Sequence, residues 1–254
     1  MTVIPIPAFT DNYIWTLRDA THAVVVDPGD ATPVLDYLSR EGLQLAAILN
    51  THHHADHVGG NAALLEHWQV PVFGPHDDRI AEVTQRVGNG DKVTLPHFDL
   101  VLRVIAIPGH TRSHIAFHGA GMLFCGDTLF AAGCGRLFEG TPAQMHDSLN
   151  RLAVLAGDTH VYCGHEYTVS NIKFARAADP ANAVLAEWGM RAQRLRDAKQ
   201  PTLPTTIALE KRTNPFLRCA EPAIRESASR HVGRQLSDPV EVLAVIREWK
   251  NNFK

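Results

Sequence analysis

The sequence lacks the features that mark membrane, secreted and nucleic-acid-binding proteins. No apolar run approaches the ~20 residues that a membrane-spanning helix needs; a typical run, residues 45–49, is far shorter. The first ten residues contain no basic segment and carry two prolines, so we expect no signal peptide. The 27 acidic side chains outnumber the 24 basic ones, whereas a general nucleic-acid binder needs a basic excess. We therefore expect a cytoplasmic protein whose partners include neither a membrane nor a nucleic acid.

Cysteine is also scarce. The four residues, Cys125, Cys134, Cys163 and Cys219, are widely spaced and form no CxxC motif. This pattern is typical of reduced thiols in a cytosolic protein. None of the four has a nearby histidine at a spacing that suits a nucleophilic pair, so a Cys-His thioesterase is disfavoured.

Charge divides the 254-residue chain into two parts. Residues 1–165 contain 9 basic and 17 acidic side chains, whereas residues 166–254 contain 15 and 10. Because composition changes near residue 166, we predict one domain over residues 1–165 and a second over residues 166–254. No segment stands out as a pairing helix, and we expect a monomer.

The first part is predicted to be rich in short strands. Apolar segments such as HAVVVDPGD, LQLAAILN and FDLVLRVIAI recur at short intervals, bounded by glycine, proline and polar residues. The spacing of apolar residues predicts helices over 32–41, 57–68 and 142–155. Antiparallel sheets packed face to face, with intervening helices, would bury these segments.

The second part is predicted to be helical, without a convincing strand. Helical patterning covers residues 168–178, 181–198, 221–229 and 239–250. The segment from Pro201 to Pro215 is punctuated by prolines and is predicted to be a linker.

Histidine is abundant, with 15 residues, and it is clustered. The segment THHHADH directly follows the predicted strand LQLAAILN, so its side chains lie at the rim of a sheet. His52 and His54 can project to the same side of an extended chain, and Asp56 and His57 follow one turn later. His53 should point the opposite way and is left out. Imidazole nitrogens and carboxylate oxygens are ligands that suit zinc, and also iron or manganese.

Three further candidate ligands also follow apolar strands. His110, Asp127 and His165 each stand beside a glycine, which lets the backbone bend or approach closely. Four strand ends therefore carry seven candidate ligands. Seven groups fit two metal ions with one carboxylate bridging them.

The alternative role for any single histidine is a hydrogen-bonded structural residue. We assign that role to the isolated ones, which are His22, His67, His76, His97, His118, His146, His160 and His231. Chance is a poor account of the cluster, since unligated histidines so close together would repel one another when protonated. His114, which follows PGHTRS, is a candidate for a supporting contact to a ligand.

The histidine cluster also carries a family resemblance. THHHADH fits the T-H-x-H-x-D-H signature of the metallo-β-lactamase superfamily, and the chain more narrowly resembles glyoxalase II, the hydroxyacylglutathione hydrolases. The narrower resemblance rests on Ala132–Met145 (AGCGRLFEGTPAQM), Tyr162–Ala175 (YCGHEYTVSNIKFA), Thr213–Arg218 (TNPFLR) and the ending REWKNNFK. It spans nearly the whole chain, and these later blocks are what specify a thioesterase.

This resemblance implies a fold, a cofactor and a reaction. The implied fold is α/β: a four-layer αβ/βα sandwich followed by a small helical domain that binds substrate. Two divalent metal ions are implied, with zinc first and iron or manganese as alternatives. The implied ligands are His52, His54 and His110 for one ion and Asp56, His57 and His165 for the other, with Asp127 as the bridge. The implied reaction hydrolyses S-D-lactoylglutathione, an S-2-hydroxyacylglutathione, to D-lactate and glutathione, the second step of methylglyoxal detoxification.

The predicted residues suit that chemistry. Two metal ions can lower the pKa of a shared water toward neutrality, so a metal-bound hydroxide is the nucleophile and no serine or cysteine is needed. A thiolate leaves readily near neutral pH, so a strong general acid is not required. We hypothesise that Asp56 is catalytic, because it both ligates and orients the hydroxide.

The substrate side needs cations, because glutathione conjugates are anionic. The basic second part can supply them, and arginine binds carboxylates through two parallel hydrogen bonds. By resemblance, the glutathione contacts are Arg136, Phe138, Tyr167 and Arg218. The family often has lysine and tyrosine where this chain has Arg136 and Phe138, and a second basic residue that follows Arg218 in some relatives is absent here.

Other functions remain open at this point. A persulfide dioxygenase of the same superfamily would use one iron with two histidines and one aspartate, and would not need Asp56, His57 and His165. A β-lactamase typically has cysteine at the position of Asp127, and a nuclease would want a basic surface beside the metals. A non-enzyme metal-binding module would close its coordination with four protein ligands, whereas seven ligands for two ions leave room for water.

Overall fold

The structure is a computed structural model that describes residues 1–253. Its backbone forms two compact units. Unit 1 comprises Met1–Ala106 and Ser113–Gly126; unit 2 comprises Ile107–Arg112 and the described residues from Asp127 onward. The domain boundary near residue 166 stays a prediction, and the two units are described separately below.

Unit 1 begins with a six-stranded sheet. Its strands, in spatial order, are β1 (Thr2–Ala8), β2 (Asn12–Arg18), β3 (His22–Val26), β4 (Gln44–Leu49), β5 (Val72–Gly74) and β6 (Gln85–Arg86). The first three strands pair antiparallel, but β3 to β6 pair parallel. The expectation of purely antiparallel sheets is therefore wrong here. Parallel strands need a crossover, and α1 (Thr32–Glu41) supplies it between β3 and β4.

The core of unit 1 lies on the central strands of this sheet. Most residues of β3 and β4 are buried, as expected for strands covered on both faces. Helix α1 packs Val34 and Leu38 into the same apolar cluster as Val25 and Ile48. The bounds of α1 agree with the helix predicted over 32–41. It has a proline in its first turn and ends at Gly42 in the left-handed conformation, as helices commonly do.

The helix predicted over 57–68 is wrong in its extent. Two short helices stand there, α2 (Ala55–Val58) and α3 (Asn61–Leu65). The break falls at the two glycines between them, where the N–H of Gly60 donates to the carbonyl of Pro28 (2.8 Å). The chain thus turns away from the helical path to contact the loop that follows β3.

Four more strands of unit 1 form an antiparallel meander. They are β7 (Lys92–Thr94), β8 (Val101–Ala106), β9 (Ile115–Gly119) and β10 (Met122–Gly126), each paired with the next. Strand β8 lies in the predicted segment FDLVLRVIAI, and for these four strands the antiparallel expectation is confirmed. In β8, Leu102 and Val104 are buried while Val101 and Arg103 are exposed, which is the alternation of a strand with one core face.

Unit 2 is mostly helical. It contains β11 (Leu129–Phe130), β12 (Gly133–Cys134), α4 (Pro142–Ala153), β13 (His160–Cys163), α5 (Thr168–Ala178), α6 (Ala183–Asp197), β14 (Thr205–Thr206), α7 (Ile207–Thr213), α8 (Pro222–Val232) and α9 (Pro239–Asn251). The predicted helices correspond to α4, α5, α6, α8 and α9. None of the helices within residues 1–253 is both long and apolar enough to cross a membrane.

The predicted linker over 201–215 is wrong, because this segment is structured. Strand β14 pairs with β13, Thr205 opposite Val161. Helix α7 follows, and the Thr206 hydroxyl caps it by accepting from the N–H of Leu209 (3.3 Å). A seven-residue helix carries too few apolar repeats to stand out beside the prolines.

Candidate metal centre

Unit 1 brings four predicted ligands together where β4 ends. His52 and His57 are buried, whereas His54 and Asp56 are partly exposed. The Nε2 atom of His52 lies 3.1 Å from Nδ1 of His54, and the rings of His52 and His57 are 4.2 Å apart between centroids. The Nε2 atom of His57 lies 3.5 Å from Oδ2 of Asp56. These four side chains therefore form one cluster of nitrogen and oxygen donors.

Asp27, which follows β3, supports this cluster and was missed by the sequence analysis. Its Oδ2 lies 3.1 Å from Nδ1 of His57 and accepts from the hydroxyl of Thr51 (2.7 Å), while its Oδ1 accepts from the N–H of Thr51 (2.7 Å). A carboxylate only accepts, so Nδ1 of His57 carries the proton and Nε2 presents its lone pair toward Asp56. The sequence feature that could have pointed to Asp27 is an aspartate at the end of a strand, directly before Pro-Gly.

Asn12, at the start of β2, is a second missed residue. It is buried, and its Nδ2 donates both to Oδ2 of Asp56 (3.0 Å) and to the backbone carbonyl of Asp56 (3.2 Å). These two bonds fix the carboxylate relative to its own main chain. Nothing local in the segment around Asn12 reveals this contact, because the two residues are 44 positions apart.

The two histidines left out of the ligand set take supporting positions. The ring of His114 stacks on that of His52, with centroids 4.5 Å apart. The Nδ1 atom of His53 lies 3.5 Å from Oδ2 of Asp77. Hydrogen bonds from Arg79 and Ser113 hold the pKa of Asp77 well below its usual range, so this carboxylate stays ionised.

Unit 2 brings the other three predicted ligands together. The Oδ2 atom of Asp127 lies 3.5 Å from Nε2 of His110 and 3.2 Å from Nε2 of His165. Nδ1 of His110 lies 2.8 Å from the carbonyl of Arg136, which can only accept, so Nδ1 is protonated and Nε2 carries the lone pair. One carboxylate thus lies between two imidazole nitrogens that come from different parts of the chain.

Two glycines allow the aspartates to take these positions. A Cβ atom on Gly29 would lie 1.9 Å from the carbonyl oxygen of Asp56, and one on Gly135 would lie 2.0 Å from that of Asp127. No side chain fits at such distances. Each aspartate therefore has its own main chain packed directly against a glycine of the same unit.

The predicted substrate contacts near the unit 2 ligands are mostly aromatic. The ring of Tyr167 stacks on His165 with centroids 4.7 Å apart and an interplanar angle of 3°. Phe138 is 63% exposed and meets the ring of His110 edge-on at 5.2 Å. Both rings therefore offer an apolar surface directly beside predicted ligands.

Arg136 opens onto a cavity in unit 2. The cavity has a volume of about 400 Å³, and Phe138, Arg247 and Glu248 also line it. Arg247 is buried, donates to the carbonyl of Cys134 (2.7 Å) and was missed by the sequence analysis. Burial and the neighbouring charge of Arg247 lower the pKa of Lys250 to about 8. Two cationic side chains, Arg136 and Arg247, therefore line the cavity beside one carboxylate, that of Glu248.

Arg218 has a partner of its own. Its Nη1 donates to the buried carboxylate of Asp179 and to the carbonyl of Arg212 (3.1 Å). Arg218 is not among the residues that line the cavity beside Arg136. The structure therefore gives Arg218 a structural contact, and its role toward a substrate stays a prediction.

The chemistry of these donors fits two divalent cations. Five imidazoles and two carboxylates exceed the four donors of a closed structural zinc site. In His57 and His110, the second ring nitrogen is already engaged by an acceptor, so Nε2 can bind a cation. This arrangement is the usual one for histidines that ligate metals.

Comparison with known proteins defines the class and then the family. Residues 9–165 match the model of the metallo-beta-lactamase superfamily, and residues 166–253 match the model described as hydroxyacylglutathione hydrolase C-terminus. A hydroxyacylglutathione hydrolase from Nitrosomonas europaea is 53% identical over 254 residues, covering 100% of this chain and 97% of the relative. One from Aeromonas salmonicida is 52% identical and covers 99% of each chain. The chain belongs to the hydroxyacylglutathione hydrolase family.

Solved structures show the same class of fold. ETHE1 from Myxococcus xanthus superimposes with a TM-score of 0.67 at 26% identity, covering 100% of both chains. TTHA1623, solved in a di-iron-bound form, gives a TM-score of 0.61 at 26% identity and covers 85% of this chain and 100% of that one. The predicted α/β fold, a metallo-β-lactamase domain followed by a helical C-terminal part, is confirmed.

Proposed function

We infer that this chain is a thioesterase that hydrolyses S-D-lactoylglutathione to D-lactate and glutathione, the second step of methylglyoxal detoxification. The observation that carries the proposal is the position of Asp127, whose Oδ2 lies between Nε2 of His110 and Nε2 of His165. A carboxylate so placed suits the bridging ligand of a dinuclear hydrolase. Full-length relatives named hydroxyacylglutathione hydrolase supply the substrate class.

We propose that the seven donors bind two divalent cations. One cation would be held by His52, His54 and His110 and the other by Asp56, His57 and His165, with Asp127 bridging. Zinc is the first candidate for both positions, since imidazole and carboxylate accept it readily; iron and manganese are the alternatives. When bound, the two cations supply Lewis acidity and make a water acidic enough to attack a thioester near neutral pH.

The chain's own residues then orient the reactants. A carboxylate oxygen of Asp56 accepts a hydrogen bond from the attacking water and directs it at the thioester carbonyl. Asn12 keeps that carboxylate in place through its two hydrogen bonds. A glutathione thiolate is a stable leaving group, because an unperturbed thiol has a pKa near 8.5, so no residue has to protonate it strongly.

The glutathione part of the substrate would occupy the cavity of unit 2. Arg136 and Arg247 on its wall pair with the carboxylates of glutathione. Phe138 and Tyr167 flank the ligands His110 and His165. Their rings would pack against the part of the substrate near the sulfur. We propose that residues 166–254 form the substrate-binding domain and that the protein is a cytoplasmic monomer.

The decisive experiment measures hydrolysis and metal content together. Purified protein should consume S-D-lactoylglutathione, followed as loss of thioester absorbance, and should contain two metal ions per chain. Removing the metal with EDTA should abolish turnover, and adding zinc should restore it. One iron per chain, with oxygen uptake on a glutathione persulfide and no thioester loss, would identify a persulfide dioxygenase instead.

An arginine substitution tests how the substrate is bound. Arg136→Ala should raise KM for the thioester roughly tenfold with little change in kcat, because a charged hydrogen bond is lost from binding rather than from chemistry. Arg176→Ala, an exposed position on α5, is the control. An unchanged KM for Arg136→Ala would remove this residue from the binding site.

Arg218→Ala separates substrate binding from structure. We expect KM to rise more than kcat falls, and the melting temperature to drop because the buried Asp179 loses its charged partner. Asp179→Asn breaks the same pair but leaves the arginine. If both variants raise KM equally, Arg218 acts only through Asp179 and does not contact glutathione.

A further inference from the structure

A two-stranded ribbon connects the bridging aspartate to the substrate cavity. Strands β11 and β12 pair antiparallel, with Phe130 opposite Gly133. Asp127 lies two residues before the ribbon and Arg136 two residues after it. The position of the ribbon therefore sets the position of both residues.

The ribbon also supports the ligand His165 from the side. The ring of Phe130 meets the ring of His165 at 5.9 Å and that of Tyr167 at 5.3 Å, both edge-on. Phe130 is buried, so these contacts are part of the packed interior of unit 2. A shift of the ribbon would move Asp127 and loosen His165 together.

The turn of the ribbon has a strained conformation that needs support. Ala132 has a φ of 53°, in the left-handed region that residues with a side chain seldom adopt. Its N–H donates to Oε2 of Glu210 (2.7 Å), and the carbonyl of Ala131 accepts from Nδ2 of Asn171 (3.0 Å). Polar side chains of α5 and α7 thus hold the turn in place.

Asn214 completes the support on the side of α7. Its Nδ2 lies within hydrogen-bonding distance of the carbonyls of Phe130 (3.1 Å) and Gly133 (2.9 Å) and of Oε2 of Glu210 (2.9 Å). The second oxygen of Glu210, Oε1, accepts from the hydroxyl of Thr205 (2.7 Å). Both carboxyl oxygens are therefore satisfied, and one of them faces the ribbon.

Burying the ionisable side chain of Glu210 costs folding free energy. The side chain is fully buried, and burial raises the pKa of Glu210 to about 7 even though three donors surround the carboxyl. An apolar residue would avoid that cost but could not accept from Ala132. The hydrogen bond that Glu210 accepts from Ala132 therefore explains why a carboxyl group is buried at this position.

We propose that Glu210, together with Asn214, is a positioning residue for the metal centre: it fixes the β11–β12 ribbon and thereby the bridging carboxylate of Asp127 and the ring of His165. This inference rests on the proposed dinuclear site. It goes further by assigning the placement of two ligands to a buried pair on α7 that contacts neither of them.

Four variants test the proposal by zinc affinity, measured by competition with a chromogenic chelator, alongside kcat and melting temperature. Glu210→Ala and Asn214→Ala remove the support of the ribbon. Glu210→Gln keeps it, because its Oε1 can accept from Ala132 and its Nε2 can donate to Thr205. Thr205→Val removes a hydrogen bond to the same carboxyl without touching the ribbon and is the matched control.

The expected pattern separates positioning from stability. Glu210→Ala and Asn214→Ala should weaken zinc binding and lower kcat by roughly 10- to 100-fold, the usual effect of losing support behind metal ligands. Glu210→Gln should stay within about threefold of the parent protein in zinc affinity, and Thr205→Val should lower the melting temperature alone.

The proposal is overturned if the alanine variants bind zinc like the parent, or if Thr205→Val weakens zinc binding as much as they do. Should Glu210→Ala fail to fold, Glu210→Asp, which draws the carboxyl back from Ala132, replaces it with the same expected weakening. Zinc affinity does not depend on the thioester, so a parent protein that binds zinc but hydrolyses no S-D-lactoylglutathione would refute the proposed function alone.

Discussion

Replacing Asp127 with asparagine should lower kcat for S-D-lactoylglutathione by about 10³-fold, equivalent to about 4 kcal/mol of transition-state stabilisation. The amide cannot supply the negative charge that lies between His110 and His165. We expect the metal content to fall from two ions per chain toward one or none. The measurement combines steady-state kinetics with elemental analysis of the purified variant.

Asp158→Asn is the matched control for this substitution. It makes the same chemical change at an exposed position of unit 2, before β13, and should leave both quantities unchanged. An Asp127→Asn protein that keeps two zinc ions and a kcat within tenfold of the parent would exclude Asp127 as the bridge.

Asp56→Asn should have the next largest effect. We expect kcat to fall at least about 100-fold, because the variant loses the carboxylate that orients the attacking water and one ligand charge. KM should change little, since the role proposed for Asp56 is toward the attacking water and not toward the glutathione part. Asn12→Ala should lower kcat by roughly tenfold through the same carboxylate, because both of its hydrogen bonds to Asp56 are lost.

The two variants together test how Asp56 acts. If Asn12 acts through Asp56, the double variant should be no slower than Asp56→Asn alone. Asp36→Asn, exposed on α1, controls for a change of charge in unit 1. Activity and metal content that both survive Asp56→Asn would contradict the hypothesis that this residue ligates and orients.

The ligands could be predicted from the sequence because each of them lies in a recognisable local pattern. His110 and His165 each follow an apolar strand beside a glycine, and THHHADH concentrates its donors within one short segment. Strand ends and periodic apolar residues depend on neighbours in the chain. Local patterns therefore predict these donors and most of the helices and strands.

The supporting residues could not be found in this way, because their partners are far away in the sequence. Asn12 and Asp56 are 44 positions apart, and Glu210 and Ala132 are 78 apart. Arg218 is a further case: family resemblance implies a substrate contact, which stays a prediction, and the structure adds a bond to Asp179 that the motif NPFLR does not contain. Pairings of this kind are set by the tertiary fold.

The contacts of Gly29 and Gly135 have a consequence for how this family can vary. Each glycine packs against the carbonyl oxygen of an aspartate, Asp56 or Asp127, so a side chain at either position would displace that aspartate's main chain. Even the single methyl group of alanine at Gly29 or Gly135 would therefore move a carboxylate away from its histidine neighbours, so we expect neither position to tolerate any residue but glycine.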